Sequence, residues 1–363
     1  MTKILLIGPF PKPISGVSLA NKIVKEVLDK SDNFITDSIN TSYPVFEDSV
    51  GSFSLKKVLF FLGLNTKALK IYKSDIIYIT PGQTFYGIIK YTFFILISSI
   101  LHKELIIHVH GNFLGKQYHQ LKGIKKKIFY FLVSKFSKGI VLSPSLKGNL
   151  LPFLDKSKIF VVHNFAEDYL YKNLKKTDNS KMKITYLSNL MEEKGILYLL
   201  DALEELETRN INYSAKIAGN IDENLKAIIN KKISELKNTT YLGVVYKEEK
   251  KDLLEWSNIF VLPTFYVMEG QPISILEALA TQNVIIATNH AGIPDIIKSE
   301  INGFIVSPRN SESILNKLLL LNNSTFKIDE ISKVNKKYFI ENFTLNKFSN
   351  EILKVINANT RIK

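Results

Sequence analysis

Two glutamates eight positions apart, Glu269 and Glu277, frame the stretch MEGQPISILEALA. Glu277 stands among Ile273, Ile275, Leu276, Ala278 and Leu279. A carboxylate in that company is costly unless it accepts hydrogen bonds, and the vicinal hydroxyls of a ribose would be a fitting donor pair. Pro272 suits the first turn of a helix. Amides around Gln271 to Ser274 would then point at whatever binds in front of that helix start, a place that favours anions.

Three other stretches carry candidate chemistry. In SNLMEEKG, Lys194 and Gly195 open an amphipathic helix after a strand that ends at Ser188. A lysine there can hold a phosphate as a point charge; a solvated lysine is the plainer alternative. In HVHGN, strand alternation puts His108 and His110 on one face, with His110 nearer the strand end. A hydrogen-bonding or polarising role fits His110, beside the alternative of a satisfied strand-end histidine. A zinc site would need further ligands at suitable spacing, and none is present. The loop GPFPKPISGVS, Gly8 to Ser18, joins a strand to a helix start, where Gly16 permits close backbone approach. It matches neither a dinucleotide fingerprint nor a Walker A loop.

The elements that must position these residues alternate from end to end. KILLIG, IIYIT, ELIIHVHG, GIVLS and KIFVVHN are short apolar runs separated by helical patterns. Uniformly apolar runs of this length are what a parallel sheet covered on both faces requires. The polar stretch Tyr171 to Lys183 looks like an interdomain linker. The alternation then restarts with ITYLS, YSAKIAG, TTYLG, NIFVLP, NVIIAT and GFIV, and helices follow from Ser311. The expected fold is α/β, with two Rossmann-like, doubly wound domains facing a cleft. The expected boundaries are 1–170 and 183–343, with a final helical segment 344–363 packing back on the first domain. Ligand would meet the C-terminal ends of the strands.

Composition narrows the function classes. The 363 residues are enough for two cores, and 23 % charged with 45 % hydrophobic residues is ordinary for a soluble globular chain. The absence of cysteine excludes disulfides and thiolate chemistry. The N-terminal run MTKILLIGPFP reads as a first strand, not a secretory signal. YTFFILISSIL is the most apolar segment and is too short to span a bilayer. A cytoplasmic protein, peripheral on the inner membrane face or free, is the expectation. The net charge of +14 is uneven: residues 1–165 hold 22 lysines and no arginine against 9 acids. Such a half attracts anionic lipid, nucleic acid or phosphorylated substrates, although a lysine-rich background composition accounts for it equally well. The paired glutamates speak against nucleic acid. KGIKKKIFYFLVSKFSKG, Lys122 to Gly139, interleaves lysines with aromatics. It is either a membrane-surface segment or a helix packed by Ile128, Phe131 and Leu132 with its lysines solvated.

Taken together, these stretches resemble glycosyltransferase family 4, the retaining nucleotide-sugar transferases of GT-B fold. The E-x7-E of Glu269 and Glu277 is the most specific element. HVHGN, Lys194-Gly195, NIFVLPT, NHAGIPDII and NGFIVSP occur in the family's order. The resemblance implies that Glu269 meets the donor sugar near its reacting face and that Glu277 binds the ribose. It implies that Lys194 holds the diphosphate and His110 contacts the sugar. Gly16, Asn189, Gly270, Gln271, Pro272, Ile273 and Ser274 would line the donor. Ser188-Asn189 stands where the family often has Gly-Arg, which removes one diphosphate partner. The implied reaction is transfer from a UDP- or GDP-sugar to a hydroxyl of a saccharide acceptor, expected to be lipid-linked, without a metal or other cofactor. The implied setting is cell-surface polysaccharide biosynthesis, of the capsule or lipopolysaccharide kind. A nucleotide-sugar epimerase and a non-catalytic GT-B scaffold partner are the alternatives.

Overall fold

The computed structural model describes residues 1–12, 15–43, 55–175 and 181–358. Their contacts form two compact units, residues 1–163 with 348–363, and residues 164–347. Each is an α/β unit built on a six-stranded, wholly parallel sheet.

The first sheet comprises β1 (Thr2–Gly8), β2 (Phe34–Asn40), β3 (Ile76–Ile79), β4 (Glu104–Val109), β5 (Lys138–Val141) and β6 (Ile159–Val161). Its order is β2-β1-β3-β4-β5-β6. β3 and β5 are buried at every residue, as strands covered by helices on both faces must be. β2 was not among the expected strands. It lies at the sheet edge and buries only Phe34 and Ile39, so FITDSIN carries no continuous apolar run.

The second sheet comprises β7 (Met182–Leu187), β8 (Tyr213–Ala218), β9 (Thr239–Tyr241), β10 (Ile259–Leu262), β11 (Val284–Thr288) and β12 (Gly303–Val306). Its order is β12-β11-β10-β7-β8-β9. The connections reverse direction between β7 and β10, the switch point at which open α/β sheets leave a crevice beyond the strands' carboxyl ends.

The unit boundary falls at 163/164, not at 170. Residues 164–171 are tied to the second unit. The Asn164 amide donates to Gln271 Oε1 at 2.7 Å, and its side chain donates to the Gln271 carbonyl at 2.9 Å. Ala166 N donates to Phe343 O at 3.2 Å, and the Tyr171 ring lies 5.0 Å from that of Phe339. Within the expected linker, Lys175 N donates to Glu255, and residues 176–180 lie outside the described set. The last helix, Leu345–Asn357, belongs from Phe348 onward to the first unit. There the buried Lys138 ammonium donates to the carbonyls of Val355 and Ile356 at 3.0 and 3.5 Å. A cation at a helix C-terminus complements its exposed carbonyls. No helix among the described residues is long and apolar enough to cross a membrane.

Candidate active site

In the second unit, the loops after β7 and β10 meet at the switch point. After β7 the chain turns through Glu192–Lys194 into the helix Ile196–Thr208. Gly195 makes this turn at φ +81°, and a Cβ there would come within 2.3 Å of the Pro263 carbonyl oxygen. Only glycine fits both the left-handed backbone and that close approach. The turn sets Lys194 beside the loop that follows β10. Lys194 Nζ lies 2.5 Å from Glu269 Oε2 and 5.1 Å from the centre of the Tyr266 ring. Thr264 Oγ1 lies 3.1 Å from the same carboxylate oxygen and 3.2 Å from Glu193 O, two acceptors for its single proton. Thr288 Oγ1 donates in turn to the Thr264 carbonyl. Glu269 N donates to Tyr266 O at 2.8 Å, and His290 Nε2 lies 2.7 Å from that same carbonyl oxygen. Burial, then the carboxylates of Glu269 and Glu193, push the Tyr266 phenol up, so it stays neutral against the lysine.

Glu269 and Glu277 occupy different places, as their spacing suggested. Glu269 lies in the loop. Glu277 lies in the helix Ile273–Ala280, where five of its neighbours from Ile275 to Ala280 are buried. Pro272 occupies the N-cap, one position before the first turn where the sequence placed it. The amides of Ile273 and Ser274 thus begin the helix with no intrahelical acceptor. Gly270 is buried, and its carbonyl accepts from Gly292 N at 2.9 Å. Gln271 is buried as well, its side-chain oxygen already accepting from Asn164. Asn189 is exposed, and its carbonyl accepts from Tyr186 Oη at 2.9 Å.

Glu277 has a partner that sequence reasoning missed. Lys250, on the helix Lys247–Trp256, donates to Glu277 Oε1. In YKEEKKDLLEW it is one lysine among several and carries no mark that separates it from a solvated face. Thr264 and His290 fall within NIFVLPT and NHAGIPDII but were given no role, because side chains that brace a loop leave no spacing pattern.

In the first unit, His108 and His110 do share a face, with ring centres 3.9 Å apart. His108 Nδ1 bonds to the Tyr78 hydroxyl. Nε2 of each histidine is buried without a hydrogen-bond partner. Burial drives the His110 pKa down to about 3, and burial followed by the His110 charge drives that of His108 well below its usual value. Both imidazoles are therefore neutral at physiological pH. Gly16 is the exposed first residue of the helix Gly16–Asp29, which Ser15 caps: Ser18 N donates to Ser15 Oγ and Ser15 N to Ser18 Oγ. Pro13 and Ile14 of this loop lie outside the described residues.

Residues 171–338 match the family model of glycosyl transferases group 1, a span that lies wholly within the second unit. Over that span the chain resembles a group 1 glycosyltransferase domain. The amylovoran biosynthesis glycosyltransferase AmsK of Erwinia amylovora is 27 % identical over 158 residues, 41 % of this chain and 38 % of the relative. An Escherichia coli enzyme, UDP-Gal:alpha-D-GlcNAc-diphosphoundecaprenol alpha-1,3-galactosyltransferase, is 27 % identical over 139 residues, 37 % of this chain and 35 % of the relative. The chain thus spans well under half the length of either. The whole fold resembles that of Anabaena HepE, solved in complex with UDP. The TM-score is 0.74 at 16 % identity, covering 98 % of this chain and 99 % of the other. That likeness extends the GT-B architecture beyond the group 1 domain to both units.

Proposed function

We propose that this chain is a retaining glycosyltransferase of family 4, a hexosyltransferase-type enzyme. It moves a sugar from a UDP- or GDP-sugar to a hydroxyl of a saccharide acceptor in cell-surface polysaccharide biosynthesis. The observation that carries the reading is the Lys194–Glu269 pair at the switch point of a group 1 domain, beside the start of the helix Ile273–Ala280. In the proposed step the acceptor oxygen bonds to the anomeric carbon while the bond from that carbon to the diphosphate oxygen breaks. The acceptor proton passes to the departing phosphate on the same face, which retains configuration. Charge grows on the leaving diphosphate, and Lys194 with the amides of Ile273 and Ser274 stabilises it. Glu269 then exchanges its lysine partner for the sugar hydroxyls. This chemistry asks nothing of a metal. The UDP bound by HepE and the UDP-galactose substrate named for the Escherichia coli relative support a nucleotide-sugar donor. A thermal-shift screen with UDP, GDP and ADP, followed by product analysis with the stabilising nucleotide's sugars, tests it. If no nucleoside diphosphate raises the melting temperature, the donor reading fails. If donor is turned over to a new sugar nucleotide with no acceptor product, the epimerase alternative replaces it.

The acceptor is proposed to be lipid-linked, presented by an anionic membrane surface. Supporting this, the helices Thr92–Ile100 and Gly123–Val133 fill the successive crossovers β3 to β4 and β4 to β5. Right-handed crossovers running one way along a sheet lie on the same face, so the two outer surfaces form one side. Phe93 and Ile100 are exposed on the first helix. Ile124, Ile128 and Phe131 are exposed on the second, Phe131 by 50 %. Of the three residues expected to pack the second helix, only Leu132 is buried. Residues 81–141 hold nine lysines and one acid, Glu104, which pairs with Lys138. Exposed aromatics among lysines suit a bilayer carrying negative lipid. Co-sedimentation with phosphatidylglycerol vesicles at low salt should retain the protein, and Phe131→Ser with Ile124→Ser should release it. No sedimentation of the unaltered chain would remove the membrane from the proposal.

A further inference from the structure

The Lys250–Glu277 pair is one of several ion pairs in this domain and, like Lys194–Glu269, is shielded from solvent. The Lys250 side chain is 17 % exposed and that of Glu277 6 %, so neither charge is screened as a surface ion pair would be. Lys250 faces more than one group. Its ammonium lies 6.0 Å from the centre of the Tyr169 ring, and Glu167 and Glu277 both act on it electrostatically. Burial pulls the Lys250 pKa down, but the charge and hydrogen bond of Glu277 outweigh it, and the net shift is upward. Burial raises Tyr169, with Lys250 opposing, so the phenol stays neutral. The cluster is therefore a cation held between a buried carboxylate, a phenol and a second acid.

We propose that Lys250 is a positioning residue for the nucleoside end of the donor, fixing the Glu277 carboxylate in the orientation that selects a ribose. This rests on the nucleotide-sugar donor of the proposed function and on the ribose reading of Glu277 that the sequence resemblance implies. A carboxylate offers about four acceptor positions. The lysine takes one of them on Oε1, and the remainder stay available for two vicinal hydroxyls. Without the lysine, Glu277 would carry its charge uncompensated on an apolar helix, free to rotate or to take a proton. Either change spoils the geometry that two adjacent hydroxyls require. The effect should fall on recognition of the 2′-hydroxyl, not on the sugar-transfer step, which is assigned to the Lys194 pair.

Titration calorimetry with UDP, 2′-deoxy-UDP, GDP and 2′-deoxy-GDP tests this, using the full chain and the better-bound base. The unaltered chain should prefer the ribonucleotide. Lys250→Met should weaken ribonucleotide binding about tenfold and collapse the preference over the 2′-deoxy form to about twofold or less. Its kcat at saturating donor should stay within about threefold. Lys250→Arg should restore most of the preference, because it keeps the charge. Lys250→Gln serves in its place if Lys250→Met does not fold, and should also lose the preference. If the uncharged variants fold and keep the full 2′ preference while Glu277→Gln loses it, Lys250 has no such role and the proposal is overturned. If Glu277→Gln keeps the preference too, the ribose reading of Glu277 falls, and the proposal with it.

Discussion

Two lysine–glutamate pairs with the same 2.5 Å separation sit at opposite ends of similar sheets. In the second unit, Lys194 and Glu269 lie beyond the carboxyl ends of β7 and β10. In the first unit, Lys138 and Glu104 open β5 and β4, at the amino ends. The chemistry of the pair is the same, but its position differs. At the carboxyl ends of a parallel sheet, loops and helix N-termini converge and leave a crevice for a ligand. At the amino ends Lys138 instead donates to the carbonyls of the last helix. A buried ion pair by itself therefore says little about function; the end of the sheet on which it stands says a good deal.

The comparison breaks most visibly by removing each lysine. Lys194→Ala and Glu269→Ala should each lower kcat for sugar transfer by about 10²–10³-fold, the loss typical of one preorganised electrostatic contact. Both chains should still fold. Transfer at the unaltered rate in both would dissolve the distinction. Lys138→Met should do the reverse. Removing one partner of a buried pair costs about 3–5 kcal/mol, and the partial exposure of Glu104 puts the expectation near the low end. Urea unfolding should show that loss, with kcat for the folded fraction unchanged. A Lys138→Met chain as stable as the parent would mean that the last helix does not depend on this contact.

Much of this was legible in the sequence. The order of the buried strands was readable because a parallel sheet covered on both faces needs uninterrupted apolar runs, and ELIIHV and NVIIAT show them. β2 escaped because an edge strand with one buried residue at each end needs no such run. That Lys194 follows β7 and Glu269 follows β10 was legible from where those apolar runs end, and Glu277 stood out as a carboxylate in apolar company; Gly195 marks the turn after β7 with a φ of +81° that only a glycine tolerates cheaply. Lys250 and Thr264 were not, since their roles arise from long-range packing: Lys250 reaches its partner across 27 residues. The unit boundary was misplaced for a related reason. Polar residues 171–175 resemble a linker, yet the chain is already fastened to the second unit at Asn164 by Gln271.

The strand ends of the first unit sharpen the comparison by a smaller effect, one that depends on pH. At the carboxyl end of β4 the site candidates are neutral imidazoles, where the second unit presents paired charges. Burial holds His110 at a pKa of about 3, whereas an unfolded histidine titrates near its ordinary 6.5. Between those values the unfolded chain binds the extra proton and the folded chain does not. Stability is therefore complete above about pH 6.5 and is lost as the pH falls toward about 3. Each such histidine contributes a slope of up to about 1.4 kcal/mol per pH unit in that window. His110→Asn should remove its share, flattening the dependence of unfolding free energy on pH between about 4 and 6 when measured by urea titration. His108 continues to titrate beside it, buried and bonded to Tyr78, so the slope should shrink without vanishing. An unchanged slope in His110→Asn would place the imidazole in contact with water, and the contrast between the two sets of strand ends would then be one of charge alone.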